Sequence, residues 1–427
     1  ALGDIPLDFG GELARHGAFV GSHAVVVFSD QDDIREATLN LLRFFEHESC
    51  GQCTPCREGT GKLVSLLESR GPIDETAIRD LETVLRDASI CGLGQAAPIW
   101  EVAKREGTRI PHLCHVDMPG YRPDGNCRAC MVEIDGERVL AASCIRKPAE
   151  GMVVRTATER AVKSRQMVVE LLASNMRSPE ESPDNQSMFW DWASSMGVAG
   201  SDRYPSKFAD GHATAEFDVT NPAIAVNMDA CITCGACVRA CREVQVNDVI
   251  GMAERGNRSV PVFDIHDPMG LSTCVTCGEC VQACPTGALY EKSLMDETRT
   301  VRAVQDFDKV VDSVCPFCGV GCQTKVAVKD NRIVQVDGRD GYANENRLCV
   351  KGRFGFDYAM SPERLTRPLI RRDDAPKAGD IDMRDVDPLT VFREATWEEA
   401  MERAAGGLTS IMAAHGGQAL AGFGSAK

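Results

Sequence analysis

Cys231-Ile-Thr-Cys234-Gly-Ala-Cys237-Val-Arg-Ala-Cys241 is followed, after a gap, by Cys274-Val-Thr-Cys277-Gly-Glu-Cys280-Val-Gln-Ala-Cys284-Pro285. The same cysteine spacing occurs twice, and the second run closes on Cys-Pro. Thiols at this spacing suit an iron–sulfur cubane, and in paired runs the fourth cysteine ligates the other cluster. The reading therefore assigns Cys231, Cys234, Cys237 and Cys284 to one [4Fe–4S] cluster. Cys274, Cys277, Cys280 and Cys241 go to its partner. The duplication predicts a pseudo-twofold domain over residues 221–298. Structural zinc is the alternative occupant of clustered cysteines.

Working outward, the 20 cysteines divide into five quartets with none left over. The first opens in Glu48-Ser-Cys50-Gly-Gln-Cys53-Thr-Pro-Cys56-Arg-Glu-Gly59 and closes at Cys91. Helices are predicted over Asp33 to Glu46, Gly59 to Ser69 and Asp74 to Arg86, making a small helical bundle around one cluster. Ala1 to Ser29 reads as the end of a β-containing segment. Three cysteines at two-residue intervals with a remote fourth suit a [4Fe–4S] cluster better than the two separated pairs typical of zinc. The second quartet is Cys114, Cys127, Cys130 and Cys144. Its long Gly/Pro loop, C-x-x-C and a hairpin over Met131 to Leu140 turning at Asp135-Gly136 have the outline of a plant-type [2Fe–2S] fold. His112 and His115 flank Cys114 and read as loop residues, since four thiols are already present. The fifth quartet is Cys315-Pro-Phe-Cys318-Gly-Val-Gly-Cys322 with Cys349. Strands over Thr324 to Val328 and Arg332 to Val336 suggest a small β-domain around one more [4Fe–4S] cluster.

These motifs resemble known families. Residues 1–97 resemble the C-terminal region of the flavin-binding, NADH-oxidising subunit of complex I and of NAD-dependent formate dehydrogenases. The runs around Cys50–Arg57 and Cys91-Gly-Leu-Gly-Gln carry that resemblance. Residues 99–176 resemble the [2Fe–2S] ferredoxin domain of the large complex I electron-transfer subunit and of formate dehydrogenase catalytic subunits. Residues 221–298 resemble a double-[4Fe–4S] ferredoxin. Residues 308–372 resemble the cluster domain that opens molybdenum or tungsten bis(molybdopterin guanine dinucleotide) oxidoreductases. In that family a lysine two residues after the last cysteine lies between cluster and pterin, and here that lysine is Lys351. Residues 177–220 read as a linker, with Phe189, Trp190 and Trp192 packing beneath it. Residues 373–427 read as the start of the molybdopterin catalytic domain: a helix capped at Thr396 runs to about Ala414, and a strand begins at Gln418.

Two departures from the families stand out. No cysteine lies between Cys144 and Cys231, where the large complex I subunit holds a further cluster with one histidine and three cysteines. That cluster is expected to be absent. The [2Fe–2S] domain of the family also opens with a hairpin, for which there is no room before Ile99, so residues are expected to be missing between Pro98 and Ile99 unless the chain is a true fusion.

The whole is an α+β multidomain chain implying four [4Fe–4S] clusters and one [2Fe–2S] cluster. The resemblance further implies a bis(molybdopterin guanine dinucleotide) group with molybdenum or tungsten, held mostly by residues beyond Lys427. It also implies FMN and NAD in a flavin-binding subunit or module. The partners it implies are that module and the remainder of the molybdopterin domain. The activity it implies is formate plus NAD⁺ giving CO₂ plus NADH, the direction left open, with no catalytic residue inside these 427 residues. A complex I or NAD-reducing hydrogenase electron-transfer subunit is the alternative on the same parts, and a zinc-bound scaffold the alternative of another class.

Composition limits the remaining classes. Sixty-three acidic against 47 basic residues, a net charge of −16, oppose nucleic-acid binding. No apolar run approaches the roughly 20 residues of a membrane helix. The N-terminus has no basic region followed by an apolar core, so a cytoplasmic location is expected. Full occupancy of the five quartets predicts about 18 iron atoms per chain. Iron analysis and visible absorption of the protein check this, and a colourless zinc protein would overturn it.

Overall fold

A computed structural model of the chain describes residues 33–69, 74–88, 99–206, 217–301, 306–375 and 386–422. Ala1 to Ser29, Cys91 and the Pro98–Ile99 junction therefore lie wholly or partly outside the described residues.

Three helices form the first module: α1 (Ile34–Glu48), α2 (Thr54–Glu68) and α3 (Glu75–Ala88). The Asp33 carboxylate caps α1 by accepting from the Arg35 and Glu36 amides. On α3, Ala77, Leu81, Val84 and Ala88 recur every three or four residues and are all buried, the stripe that seats this helix. The sequence predicts that the middle helix begins at Gly59, but it begins at Thr54 with Cys53 as N-cap. Pro55 falls in the first turn, where a missing N–H costs nothing, so the cysteine loop runs directly into the helix.

The second module carries α4 (Ile99–Arg105) and a sheet ordered β2-β1-β3, formed by β1 (Met131–Ile134), β2 (Ala141–Ala142) and β3 (Val154–Arg155). The expected hairpin is present in shortened form. Gly136 takes φ 85° at the turn. Only Met131 and Val132 pair with β2, while Glu133 and Ile134 pair with β3 on the other side. Helix α5 (Glu159–Ala173), capped by Thr158, packs on β1 and also on α2 and α3.

The stretch read as a linker is partly core. It contains α6 (Met188–Ser195), whose Phe189 and Trp190 are 0% and 5% exposed. The Trp190 indole donates to Ser182 Oγ at 3.0 Å, and the Phe189 amide donates to the Pro285 carbonyl at 2.9 Å. Phe189 and Trp190 pack as expected, but into the core shared by the neighbouring modules rather than under a linker.

In the third module β4 (Ile224–Val226) pairs antiparallel with β7 (Leu289–Glu291), and β5 (Ile250–Ala253) with β6 (Val260–Phe263). Between them lie α7 (Ala236–Arg239), which continues into a π turn over Ala240–Val244, and α8 (Glu279–Ala283).

The last module is a sheet ordered β10-β9-β8, from β8 (Lys309–Val314), β9 (Gln323–Lys329) and β10 (Arg332–Gly338). Asp330 and Asn331 take φ 50° and 57° in the β9–β10 turn, the left-handed pair that suits a tight hairpin. Strand β8 is exposed along its whole length, so it lacks the half-buried alternation that marks a strand in sequence. Helix α9 (Val350–Phe354) has Cys349 as its N-cap. Beyond it β11 (Leu369–Arg371) pairs with β12 (Phe392–Glu394), with α10 (Pro388–Val391) between them. Helix α11 (Trp397–His415) is capped by Thr396 as expected. Gln418 and Ala419, however, lie in a 3₁₀ turn over Gly417–Ala419 rather than a strand.

One hydrophobic cluster runs unbroken from Leu63 through Trp100, Met131, Leu172 and Phe189 to Leu289. The first three modules thus share a core, while Val336, Leu348 and Phe356 form a separate small one in the last. Phe189→Ala is expected to destabilise this shared core by about 3–5 kcal/mol. Anaerobic urea unfolding of the iron-loaded protein measures it; a loss under 1 kcal/mol, roughly the surface-substitution range, would show the segment to be a linker after all.

Candidate metal centres

The two cysteine runs adopt one local conformation twice. Thr233 and Thr276 take φ 55° and 54°, and Gly235 and Gly278 take φ 73° and 77°. These left-handed residues turn the backbone back on itself. The Thr233 amide then donates to Cys231 Sγ and the Thr276 amide to Cys274 Sγ, each at 3.3 Å. Gly235 and Gly278 serve as the N-caps of α7 and α8. Cys241 sits in the π turn, whose extra residue shifts it out of α-helical register. The Val249 amide donates to its sulfur at 3.3 Å.

The result is two cavities, each lined by four cysteines. Cys231, Cys234, Cys237 and Cys284 line one. Cys241, Cys274, Cys277 and Cys280 line the other. Burial, then the neighbouring thiols, pushes the Cys234, Cys237 and Cys280 thiols up. Four such thiols cannot ionise together in a dry cavity without cations to balance them, which is the donor set of an iron–sulfur cluster. Among the described residues no three His, Cys, Asp or Glu side chains are grouped to hold a single metal ion.

In the second quartet Cys114, Cys127, Cys130 and Cys144 are all buried. The Cys127 amide donates to Cys114 Sγ at 3.4 Å. Hydrogen bonds from Cys127 and Cys144 pull the Cys114 thiol down, and the Cys127 and Cys144 thiols rise in turn. His112 and His115 stack edge-to-face on Trp100 with ring centroids at 4.6 and 4.4 Å. Burial lowers the His115 imidazole to about 4. Both histidines pack beside the cysteines against Trp100.

The first and last quartets are more open. Cys53 is buried, Cys56 is half-buried with Ser49 Oγ at 3.4 Å, and Cys50 is exposed. In the last quartet the Cys315 amide donates to the Cys322 carbonyl at 2.8 Å. Burial, then Cys315, Cys318 and Cys349, raises the Cys322 thiol. A side chain on Gly352 would meet Cys315 Sγ at 3.5 Å. Lys351 lies exposed on α9, between Cys349 and that glycine's far neighbour Arg353.

Three buried arginines escape a reading built on cysteines. Each lies one to four residues after a cysteine: Arg57 after Cys56, Arg239 after Cys237 and Arg353 after Cys349. Arg57 donates to the Gly51 and Ile232 carbonyls, both at 2.9 Å. Arg239 donates to the Arg122 and Cys114 carbonyls, both at 2.5 Å, and pairs with Asp124 at 3.1 Å. Arg353 donates to the Cys277 carbonyl at 3.2 Å and to Asp337 Oδ1 at 2.8 Å.

With this geometry in place, comparison with known proteins adds the lineage. Residues 36–102 match the NADH-ubiquinone oxidoreductase-F iron-sulfur binding region. Residues 95–159 match a 2Fe-2S iron-sulfur cluster binding domain, and residues 230–288 a 4Fe-4S dicluster domain. Residues 308–361 match the molybdopterin oxidoreductase Fe4S4 domain. Segment by segment, the chain is thus similar to the cluster-binding parts of iron–sulfur oxidoreductases.

Among its relatives, a Bacillus subtilis protein named "Putative formate dehydrogenase YrhE" is 29% identical over 357 residues, covering 75% of this chain and 34% of that protein. An NADH-quinone oxidoreductase subunit of Rhizobium meliloti is 32% identical over 277 residues, 64% of this chain and 31% of that protein. The NADPH-Fe(3+) oxidoreductase subunit alpha of Geobacter sulfurreducens is 30% identical over 331 residues, 77% and 35% respectively. The chain spans about a third of the length of these curated relatives. A crystal structure of NAD⁺-reducing [NiFe]-hydrogenase in the H₂-reduced state aligns with TM-score 0.39 and 25% identity, over 46% of this chain and 80% of that one. Among the described residues no helix is long and apolar enough to cross a membrane.

Where the dicluster module meets the last one, Glu291 is 1% exposed, and burial, then Asp337, pushes its carboxyl up to about 8 from the ordinary 4.5. The folded chain thus keeps a proton that the unfolded chain releases, so stability falls as pH rises from about 4.5 to 8 and levels off above. Glu291→Gln, neutral in both states, is expected to lose less stability across that window. Anaerobic melting temperatures at pH 5 and pH 8 test this; equal losses in both proteins would place an ionised carboxylate at Glu291.

Proposed function

We propose that this chain is the electron-transfer part of an NAD-dependent molybdenum or tungsten formate dehydrogenase. Its cysteines hold four [4Fe–4S] clusters and one [2Fe–2S] cluster, in the quartets set out above and with Cys241 and Cys284 exchanged between the paired runs. When bound, these clusters supply one-electron stations whose potentials follow burial and hydrogen bonds to sulfur. The residues of the chain hold the thiols, exclude water from the inner quartets, and aim the Thr233, Thr276, Val249 and Cys127 amides at sulfur. Lys351 serves the pterin side, and the flavin and NAD sites belong to a partner module.

The observation that carries this reading is the order of modules. A flavin-subunit-type cluster region over residues 36–102 precedes the other modules and a molybdopterin-type cluster domain over residues 308–361 follows them, an order that suits a path with an NAD side and a pterin side. The stretch between Cys144 and Cys231, empty of cysteine, favours formate dehydrogenase over the large complex I subunit. The NADH-quinone oxidoreductase relatives favour the second reading, an electron-transfer subunit of an enzyme of that kind.

Metal analysis of the intact complex together with formate-dependent NAD⁺ reduction separates the two. The expected result is bound molybdenum or tungsten and NADH formed from formate. A fully iron-loaded complex that lacks both metals, or ignores formate, would overturn the substrate assignment.

A further inference from the structure

Arg353 touches two cysteine quartets at once. Its backbone amide donates to the Cys349 carbonyl at 3.1 Å, inside the last quartet. Its side chain crosses the module boundary, and Nε donates to the Cys277 carbonyl at 3.2 Å. One terminal nitrogen pairs with Asp337 Oδ1 of β10 at 2.8 Å. The other donates to Gln282 Oε1 of α8 at 2.5 Å and lies 3.8 Å from Glu279 Oε2.

The guanidinium is 0% exposed and cannot lose its proton in a protein. Its approach to the loop is so close that a Cβ on Gly278 would sit 2.3 Å from Arg353 Cδ. The loop between Cys277 and Cys280 therefore has a glycine where the arginine stem crosses it. Water screens little at such a site, so a fixed charge there acts strongly on any charge that changes nearby.

We propose that Arg353 is the positioning residue that sets the reduction potential of the iron–sulfur cluster held by Cys241, Cys274, Cys277 and Cys280, by fixing the Cys277 loop and keeping a buried positive charge beside it. The proposal rests on the reading that those four cysteines hold a cluster. Reduction there adds one electron and no proton, so the added negative charge is balanced by the guanidinium. The half-exposed Asp337 and the buried Glu279 oppose the effect, since a carboxylate beside the guanidinium offsets part of its charge.

The test is an electron-paramagnetic-resonance redox titration of the intact complex, with iron content and melting temperature measured on the same samples. Arg353→Gln is expected to shift one [4Fe–4S] signal toward the oxidised form by tenfold or more, about 59 mV for one electron, with the other signals in place. Arg353→Lys keeps the charge and is expected to recover most of that shift. Asp337→Asn is expected to move the same signal the opposite way, and this milder change keeps the proposal open to refutation if Arg353→Gln does not fold. Cluster signals that stay at their wild-type potentials in both the Gln and the Asn variants overturn the proposal alone. A wild-type protein without iron or any cluster signal overturns the cluster reading, and the proposal with it.

Discussion

Buried guanidiniums tie this chain together: Arg57, Arg239 and Arg353 each cross from one cysteine module to another. Arg57 reaches from the first module to the carbonyl of Ile232, beside Cys231. Arg239 reaches from the dicluster module to the carbonyl of Cys114. Arg353 reaches from the last module to the carbonyl of Cys277. A buried cation is costly unless its donors are satisfied in good geometry, so each arginine tolerates only one arrangement of the loops it joins. A relay depends on the separation between its stations, and these bonds hold that separation without spending exposed surface on it.

Around this frame the chain economises on structure. The paired cysteine runs use the same two left-handed positions, Thr233 with Gly235 and Thr276 with Gly278, to aim an amide at sulfur. The shared core then extends through the first three modules, so α2 and α5 pack together although they come from different cluster domains. The last module keeps its own small core; it meets the others through Phe354 and Val334, which pack on their apolar clusters, and through polar contacts of Arg353, Gln282 and Arg347, whose guanidinium donates to the Pro119 carbonyl. It is also the module that faces the pterin side in the proposed function.

The domain types and most of the described helices were legible because their signals are local. A cysteine spacing, an Asp33 or Thr396 cap, or an Asp330-Asn331 turn needs no knowledge of the rest of the chain. Misreadings arose where burial is decided at a distance. The polar sequence around Met188–Ser195 reads as linker, yet Phe189 is pinned under Pro285, a residue nearly a hundred positions away. Strand β8 has no buried face of its own and exists because β9 pairs with it.

By itself the sequence determined the cysteine spacing and the module types: twenty cysteines, with a flavin-subunit-type cluster region ahead of a molybdopterin-type cluster domain. Covalent spacing suffices for that, since three of the four thiols in most quartets lie within a single turn or loop. Only the tertiary structure decided which distant groups meet. It made Glu291 a carboxyl that keeps its proton, and turned three ordinary-looking arginines into joints between modules. Those outcomes follow from burial and long-range packing, and no local pattern of residues encodes them.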